Sequence, residues 1–124
     1  MIPKFRAWDK KYKKIMKVNQ IDFEKRSVWI EADNGDHENR HTLTREFGDI
    51  ELMQSTGLKD KNGVEIFVGD IVRIIDDGED DTGSGWNEEV IFHNGACMAG
   101  DEDLLVNVNF RCVVINNIYE IKLQ

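Results

Sequence analysis

Short runs of alternating apolar and polar residues dominate the first third of the chain. Phe5 and Ala7 alternate with charged residues, and the same period of two recurs over residues 21–24 and 28–31. Successive side chains of a β-strand point to opposite faces, so this alternation is typical of half-buried antiparallel strands. The pattern predicts an all-β, mostly antiparallel fold.

Turn residues separate these runs. Asn34-Gly35, Asn62-Gly63 and Asn94-Gly95 are strong hairpin signals, because both central residues of a type I′ turn need a positive φ. Glycines from Gly35 onward leave little room for long helices. We therefore expect six to nine strands and few, short helices.

The chain has 124 residues, which suits a single domain over residues 1–124. Residues 1–48 predict an N-terminal β-meander. In residues 49–124, short strands linked by tight turns favour a small closed or nearly closed barrel, because closure removes exposed sheet edges.

The composition of the chain indicates where in the cell we expect the protein to be. No apolar run approaches the ~20 residues of a membrane helix, and the basic start MIPKFRAWDKKYKK lacks the apolar stretch of a secretory signal. We expect a cytoplasmic protein without membrane contact. In the cytoplasm we expect Cys97 and Cys112 to be separate reduced core thiols. Because neither belongs to a C-x-x-C pair, we expect no structural zinc site.

The net charge of −8 is unevenly distributed. The negative net charge argues against sequence-independent attraction of the whole chain to nucleic acid, because such attraction depends on Lys and Arg contacts with phosphates. Residues 76–81, however, form an acidic candidate interaction loop. Two interpretations stay open: a solvated loop whose like charges repel, or a docking loop for a basic partner. Its acidic residues are Asp76, Asp77, Glu79, Asp80 and Asp81.

Basic and aromatic residues are interleaved at the N-terminus, where Phe5, Trp8 and Tyr12 lie among cations. Proteins hold single-stranded nucleic acid by stacking its bases on aromatic side chains while nearby cations bind its phosphates. The alternative is that Phe5 and Trp8 fill the core and the lysines form a solvated hairpin tip. The candidate nucleic-acid patch consists of Lys4, Arg6, Lys10, Lys11, Lys13 and Lys14.

No combination of residues predicts catalysis. His37 and His41 lack a third metal ligand at a recognisable spacing, and Thr82 stands where a calcium loop needs glycine. Gly83-Ser84-Gly85 lacks the outer spacing of a nucleophile elbow. We expect a protein that is not an enzyme and that has no metal or cofactor.

Three stretches stand out by their residue order. They are Lys4-Phe5-Arg6-Ala7-Trp8-Asp9, residues 53–72 (MQSTGLKDKNGVEIFVGDIV) and residues 114–120 (VINNIYE). Together they resemble the YopX-like family of phage and prophage proteins. The resemblance implies a β-rich fold with a small SH3-like barrel, and a mobile genetic element as the source. It implies no reaction and transfers no functional residues.

The middle stretch has two interpretations of its own. Gly57 and Gly63 supply turn conformations, and Gly69-Asp70 can end a turn and begin a strand, which indicates a folding motif. Alternatively, residues 59–61 form a surface recognition loop. The sequence as a whole predicts a binding module that works through a protein partner or self-assembly. Nucleic-acid binding through the basic N-terminus is the alternative.

Overall fold

The computed structural model describes residues 4–31, 42–75 and 85–122. These residues are mostly β, and all of their strand pairings are antiparallel, which confirms the predicted fold class. The strands are β1 (Phe5–Asp9), β2 (Lys14–Asp22), β3 (Ser27–Glu31), β4 (Thr42–Glu46), β5 (Ile50–Lys59), β6 (Glu65–Phe67), β7 (Asp70–Ile75), β8 (Gly85–His93), β9 (Ala96–Ala99), β10 (Asp103–Leu104) and β11 (Cys112–Asn117).

Helices are few and short, as predicted. In the described residues they are α1 (Leu105–Val108), α2 (Ile118–Ile121) and the 3-10 turns Phe47–Asp49 and Asn109–Arg111. The described residues alone contain eleven strands, more than the six to nine expected. Strands as short as β6 and β10 contain too few residues to produce a recognisable alternation.

The chain divides into two compact units, residues 1–54 and 55–124. In the first unit the strand order is β4-β3-β2-β1-β5. Ala7 lies opposite Met16 in the β1–β2 hairpin, and both are buried with Val28 and Ile30 in one apolar cluster. The alternating pattern therefore places one face of this sheet in a core.

In the second unit the strand order is β10-β9-β8-β7-β11. Val72 and Ile74 of β7 are fully buried, and Leu105 and Val108 of α1 join the same core. Among the described strands no pairing joins β10 to β11, so the sheet is open there and no closed barrel is found. The coarser prediction of a mostly β second half holds.

Two of the turn predictions can be compared with the structure. Asn94 and Gly95 have φ values of 53° and 82°, as a type I′ turn requires, and they connect β8 to β9. Gly63 also has a positive φ, at 82°, but Asn62 does not, so that turn is not type I′. Asn34-Gly35 lies outside the described residues.

Both cysteines are free thiols, as predicted. Cys112 is buried in the core of the second unit, and Cys97 packs against the same cluster. Burial raises the pKa of the Cys112 thiol to about 11 and also raises the pKa of Cys97. The Sγ of Cys112 donates to the carbonyl of Val108 at 3.0 Å.

Candidate binding surfaces

The turn between β1 and β2 carries most of the predicted basic patch. The buried carboxylate of Asp9 organises this turn, because its Oδ2 accepts a hydrogen bond from the backbone N–H of Tyr12 at 3.0 Å. The carbonyl of Asp9 accepts from the N–H of Lys13 at 2.8 Å. The turn is therefore held in one conformation, with Lys11, Lys13 and Lys14 exposed around it.

Arg45 of β4 forms an ion pair with Asp9. The Nε of Arg45 lies 3.0 Å from Oδ1 of Asp9, and the Arg45 side chain is only 13% exposed. Burial alone would lower the pKa of Arg45, but its hydrogen bond and charge interaction with Asp9, followed by those with Tyr12, raise it. The positive charge of Arg45 is thus largely neutralised by Asp9 within the fold.

Tyr12 is the aromatic residue that this turn displays. Tyr12 is 51% exposed, and the guanidinium of Arg45 and the ammonium of Lys11 lie 5.3 Å and 5.8 Å from its ring centroid. These distances are within the range of cation–π attraction. Trp8, by contrast, is 5% exposed and cannot offer a stacking face.

The structure separates the six patch residues into two groups. Lys4 and Arg6 lie at the start of β1, and the four lysines lie around the turn at its other end. At about 3.3 Å per residue, the backbones of Lys4 and Lys10 are about 20 Å apart. Lys10 is also engaged, since its Nζ donates to the carbonyl of Gly48 at 3.0 Å and lies 3.4 Å from Glu51.

A shallow cleft adjoins the turn. Two of the six described lining residues are acidic, and Asp9 already pairs with Arg45, so the described lining offers an anion little net positive charge. The lining residues are Lys10, Lys11, Thr44, Arg45, Glu46 and Asp49.

A second, more apolar groove lies on the same unit. Its volume is about 570 Å³, and its charged lining residues are two lysines with no acidic residue among the described ones. The sequence analysis did not predict this groove, whose lining includes the residues at a bulge in β2 between Val18 and Gln20. The lining residues are Lys4, Phe5, Lys17, Val18, Asn19, Gln20, Ile21 and Phe23.

The second unit exposes apolar side chains over residues 104–110, called the apolar segment below. Leu104, Val106 and Phe110 are 41%, 60% and 65% exposed. Leu105 and Val108 of the same segment are fully or almost fully buried. Residues 106–110 (VNVNF) alternate as a strand would, which predicts one shared face for their apolar residues. In the structure Val108 is buried and Val106 and Phe110 are exposed, so this surface could not be predicted from the alternation.

The middle stretch behaves as a folding motif. Asp60 is 6% exposed, and its carboxylate accepts hydrogen bonds from the backbone N–H groups of Asn62, Val64 and Val114. Asp70 begins β7, and its Oδ2 accepts from the N–H of Phe67 at 2.8 Å. Both carboxylates accept hydrogen bonds within the fold, which supports the interpretation of residues 53–72 as a folding motif rather than as the scaffold of a recognition loop at residues 59–61.

Several sequence predictions lie outside the described residues. The candidate interaction loop Asp76, Asp77, Glu79, Asp80 and Asp81 is one, and the pair His37 and His41 is another. Within residues 4–31, 42–75 and 85–122, no three His, Cys, Asp or Glu side chains are grouped closely enough to hold a metal. The helices of this part of the chain are too short to cross a membrane.

The fold and its surfaces define a small β-rich protein in which the distinctive middle stretch of the sequence is structural. The model of the family described as YopX protein matches residues 4–121, and the chain belongs to this family. It is similar to the crystal structure of protein EF1440 from Enterococcus faecalis, with 28% identity and a TM-score of 0.68. That similarity covers 97% of this chain and 95% of that one. No curated protein sequence matches the chain.

Proposed function

We propose that the chain is a non-enzymatic binding module that acts through protein–protein interaction or self-assembly. It serves as an accessory protein of a phage or prophage in the cytoplasm of the bacterial host. The observation that carries this proposal is the apolar segment. Three large apolar side chains stay exposed within these seven residues, and exposed apolar surface, where it forms an extended patch, marks interaction sites.

The apolar segment is presented rigidly rather than as a loose loop. Leu105 and Val108 anchor α1 in the core of the second unit. Asn109 Nδ2 donates to the carbonyl of Lys59 at 2.8 Å, so the residue before Phe110 is fixed as well. An exposed aromatic side chain on an anchored stretch of backbone suits a protein interface, because little backbone entropy is lost on binding.

The strand order of the second unit supports a barrel of the SH3-like type within this proposal. Four strands, β7 to β10, follow one another as a meander, and β11 returns to pair with the first of them. The 3-10 turn Asn109–Arg111 immediately precedes β11. Small barrels of this kind host many unrelated functions, so the surface rather than the fold supports the assignment.

A pull-down from host lysate tests the proposal. Tagged wild-type protein, Phe110→Ser and Phe92→Ser are compared with and without nuclease, and eluates are read by mass spectrometry. Phe92 is the matched control, because it is 63% exposed and lies at the end of β8. We expect a discrete protein, the chain itself included, that survives nuclease with wild type and Phe92→Ser and is lost with Phe110→Ser. Equal capture by all three variants contradicts the proposal.

Nucleic-acid binding is the second candidate function. The observation in its favour is the exposed ring of Tyr12, with Lys11 beside it and Lys13 and Lys14 on the same turn. Such a site would hold single strands by stacking and phosphate contacts, and its affinity would fall steeply with salt.

Fluorescence anisotropy with a labelled single-stranded oligonucleotide tests this second candidate. Replacing Lys11, Lys13 and Lys14 with glutamine should abolish binding and flatten its salt dependence. Replacing the exposed Lys25, Lys59 and Lys61 makes the same change in net charge elsewhere on the chain. Equal losses in the two triple variants would indicate a general charge effect and exclude the turn as the site.

A further inference from the structure

Asn94 and Gly95 form the two-residue turn between β8 and β9, and both residues are exposed. We propose that Asn94 is a site of spontaneous covalent modification. Its side-chain amide is replaced by a bond to the backbone nitrogen of Gly95, and the product is hydrolysed to isoaspartate or aspartate. Water is the only co-reactant. The modification does not depend on the proposed binding role, because it uses only the turn and solvent.

The reaction has two steps. The backbone nitrogen of Gly95 loses its proton and attacks Cγ of Asn94, so that an N–Cγ bond forms, the Cγ–Nδ2 bond breaks, and Nδ2 leaves as ammonia with a proton from solvent. Water then adds to one of the two carbonyl carbons of the five-membered imide. The bond from that carbon to the nitrogen breaks, and the nitrogen regains a proton. Opening at Cγ gives aspartate, and opening at the backbone carbonyl gives isoaspartate.

The surroundings of the turn leave both reacting groups accessible. Gly95 has no Cβ to shield its nitrogen. Apart from its chain neighbours, no atom lies within 4 Å of the position that such a Cβ would take. Among the residues that the structure describes, none forms a hydrogen bond with the Asn94 side chain or with the N–H of Gly95. The Gly95 proton is therefore available to solvent base.

The turn has to open briefly for the ring to close. Asn94 has a left-handed φ of 53° in the closed turn, and the attack requires rotation about its Cα–C bond. Only the terminal pair of the β8–β9 ladder, His93 and Ala96, closes this turn. Opening at the end of a hairpin needs far less free energy than global unfolding, so the reactive conformation is accessible in the folded chain.

The second Asn-Gly pair of the described residues, Asn62-Gly63, is protected. The N–H of Gly63 donates to the carbonyl of Asp60 at 3.0 Å, so the nitrogen that would attack is engaged. The buried carboxylate of Asp60 also accepts from the N–H groups of Asn62 and Val64, at 2.8 Å and 2.9 Å. Opening this turn breaks these bonds and leaves a buried carboxylate short of donors, so the same dipeptide should react more slowly here.

Isoaspartate at position 94 would alter the hairpin itself. It adds one carbon to the backbone of a turn whose length and type set the register of the two strands. That register places Val90 opposite Ala99, and both are buried in the core of the second unit. The modification is therefore expected to weaken the β8–β9 pairing, whereas the aspartate product keeps the normal backbone.

Peptide mapping of the folded, full-length chain during incubation in mildly alkaline buffer tests the inference. The Asn94 peptide should gain the mass of one amide-to-acid conversion, and an isoaspartyl methyltransferase should label it. The Asn62 peptide should convert at least about tenfold more slowly. In the same chain unfolded in urea the two sites should convert at similar rates, and Asn94→Gln should abolish the labelling of its peptide. Conversion at Asn94 that is no faster than at Asn62 in the folded chain overturns the inference.

Hydrogen exchange tests the effect on the hairpin. The isoaspartate-rich fraction of the incubated protein is compared with Asn94→Asp, which has the same charge and an unmodified backbone. The backbone N–H groups of β8 and β9 should exchange faster in the isoaspartate-rich fraction. Equal exchange in the two proteins would overturn the claim that the added carbon weakens the pairing.

Discussion

Asp60 Oδ2 accepts a hydrogen bond from the backbone N–H of Val114 at 2.9 Å, although 54 positions separate the two residues. The next residue of the turn, Lys61, donates its backbone N–H to the carbonyl of Cys112 at 2.9 Å. Strand β11 pairs with β7 on its other side. The turn therefore occupies backbone groups of β11 that an unprotected edge strand would offer to other chains.

Replacing this carboxylate should cost stability. Asp60→Ala removes the acceptor of three backbone N–H groups, and we expect the free energy of unfolding to fall by about 3 kcal/mol. Urea denaturation measures the loss. Asp101→Ala at an exposed position is the control, with an expected change within about 0.5 kcal/mol. Equal stability of the two variants would show that Asp60 does not secure the turn.

The ion pair between Arg45 and Asp9 leads to a second prediction. Arg45→Met leaves the buried Asp9 carboxylate without its cation, so unfolding should become easier by about 3 kcal/mol. Lys10→Met removes an ion pair with Glu51 whose side chains are 47% and 44% exposed, and it should cost less than about 1 kcal/mol. Urea denaturation of both variants measures the two losses. A larger loss for the lysine variant would contradict this account of the turn.

The turn that contains Asp60 could be derived from sequence, but neither its bond to Val114 nor the ion pair of the second prediction could be. The residue pattern of GLKDKNG indicates a turn, and period-two alternation indicates the strands on either side of the Asp9 turn. The pairing of Asp9 with Arg45 links positions 36 apart and depends on the register of four strands. Alternation shows which side chains of a strand share a face, but it does not show which strands pair with each other.

The candidate surfaces were likewise only partly predictable from the sequence. Tyr12 and its lysines are evident from sequence as a basic, aromatic stretch, but only the structure shows that Trp8 is buried and that Lys4 lies far from the turn. The exposed Phe110 was missed, because a 3-10 turn beside a four-residue helix has no regular period. Short irregular elements take their orientation from the core on which they pack.

The type I′ turn at Asn94-Gly95 allows a third prediction. Gly95 has a φ of 82°, so a side chain at this position is strained, and Gly95→Ala should destabilise the protein by about 1 kcal/mol. Gly48 is the matched control: its φ lies outside the left-handed region, and no atom lies within 4 Å of the position that an alanine Cβ would take. Thermal unfolding compares the two variants, and a destabilised Gly48→Ala with a neutral Gly95→Ala would contradict the turn assignment.

The buried thiol of Cys112 makes a pH-dependent contribution to stability. Its pKa is about 11 in the folded chain and near 9 in the unfolded chain, so the unfolded state loses its proton first as the pH rises. Between pH 9 and pH 11 the unfolded state therefore binds fewer protons, and the contribution of this thiol to stability falls.

Comparison with Cys112→Ala isolates this effect, because every other titratable group is common to both proteins. The stability difference between wild type and variant, measured by urea denaturation, should shrink by about 2 kcal/mol over the interval between the two pKa values. A difference that stays constant over this range would show that the thiol ionises as easily in the folded chain as in the unfolded one.

The central claim is that the apolar segment contacts a protein. The most direct measurement is crosslinking in host cells, with a photoreactive phenylalanine analogue in place of Phe110 and, separately, in place of Phe92. The account predicts a discrete protein adduct, to the chain itself or to another protein, from position 110 and none from position 92. Adducts to nucleic acid alone, or no adduct from position 110, would contradict it.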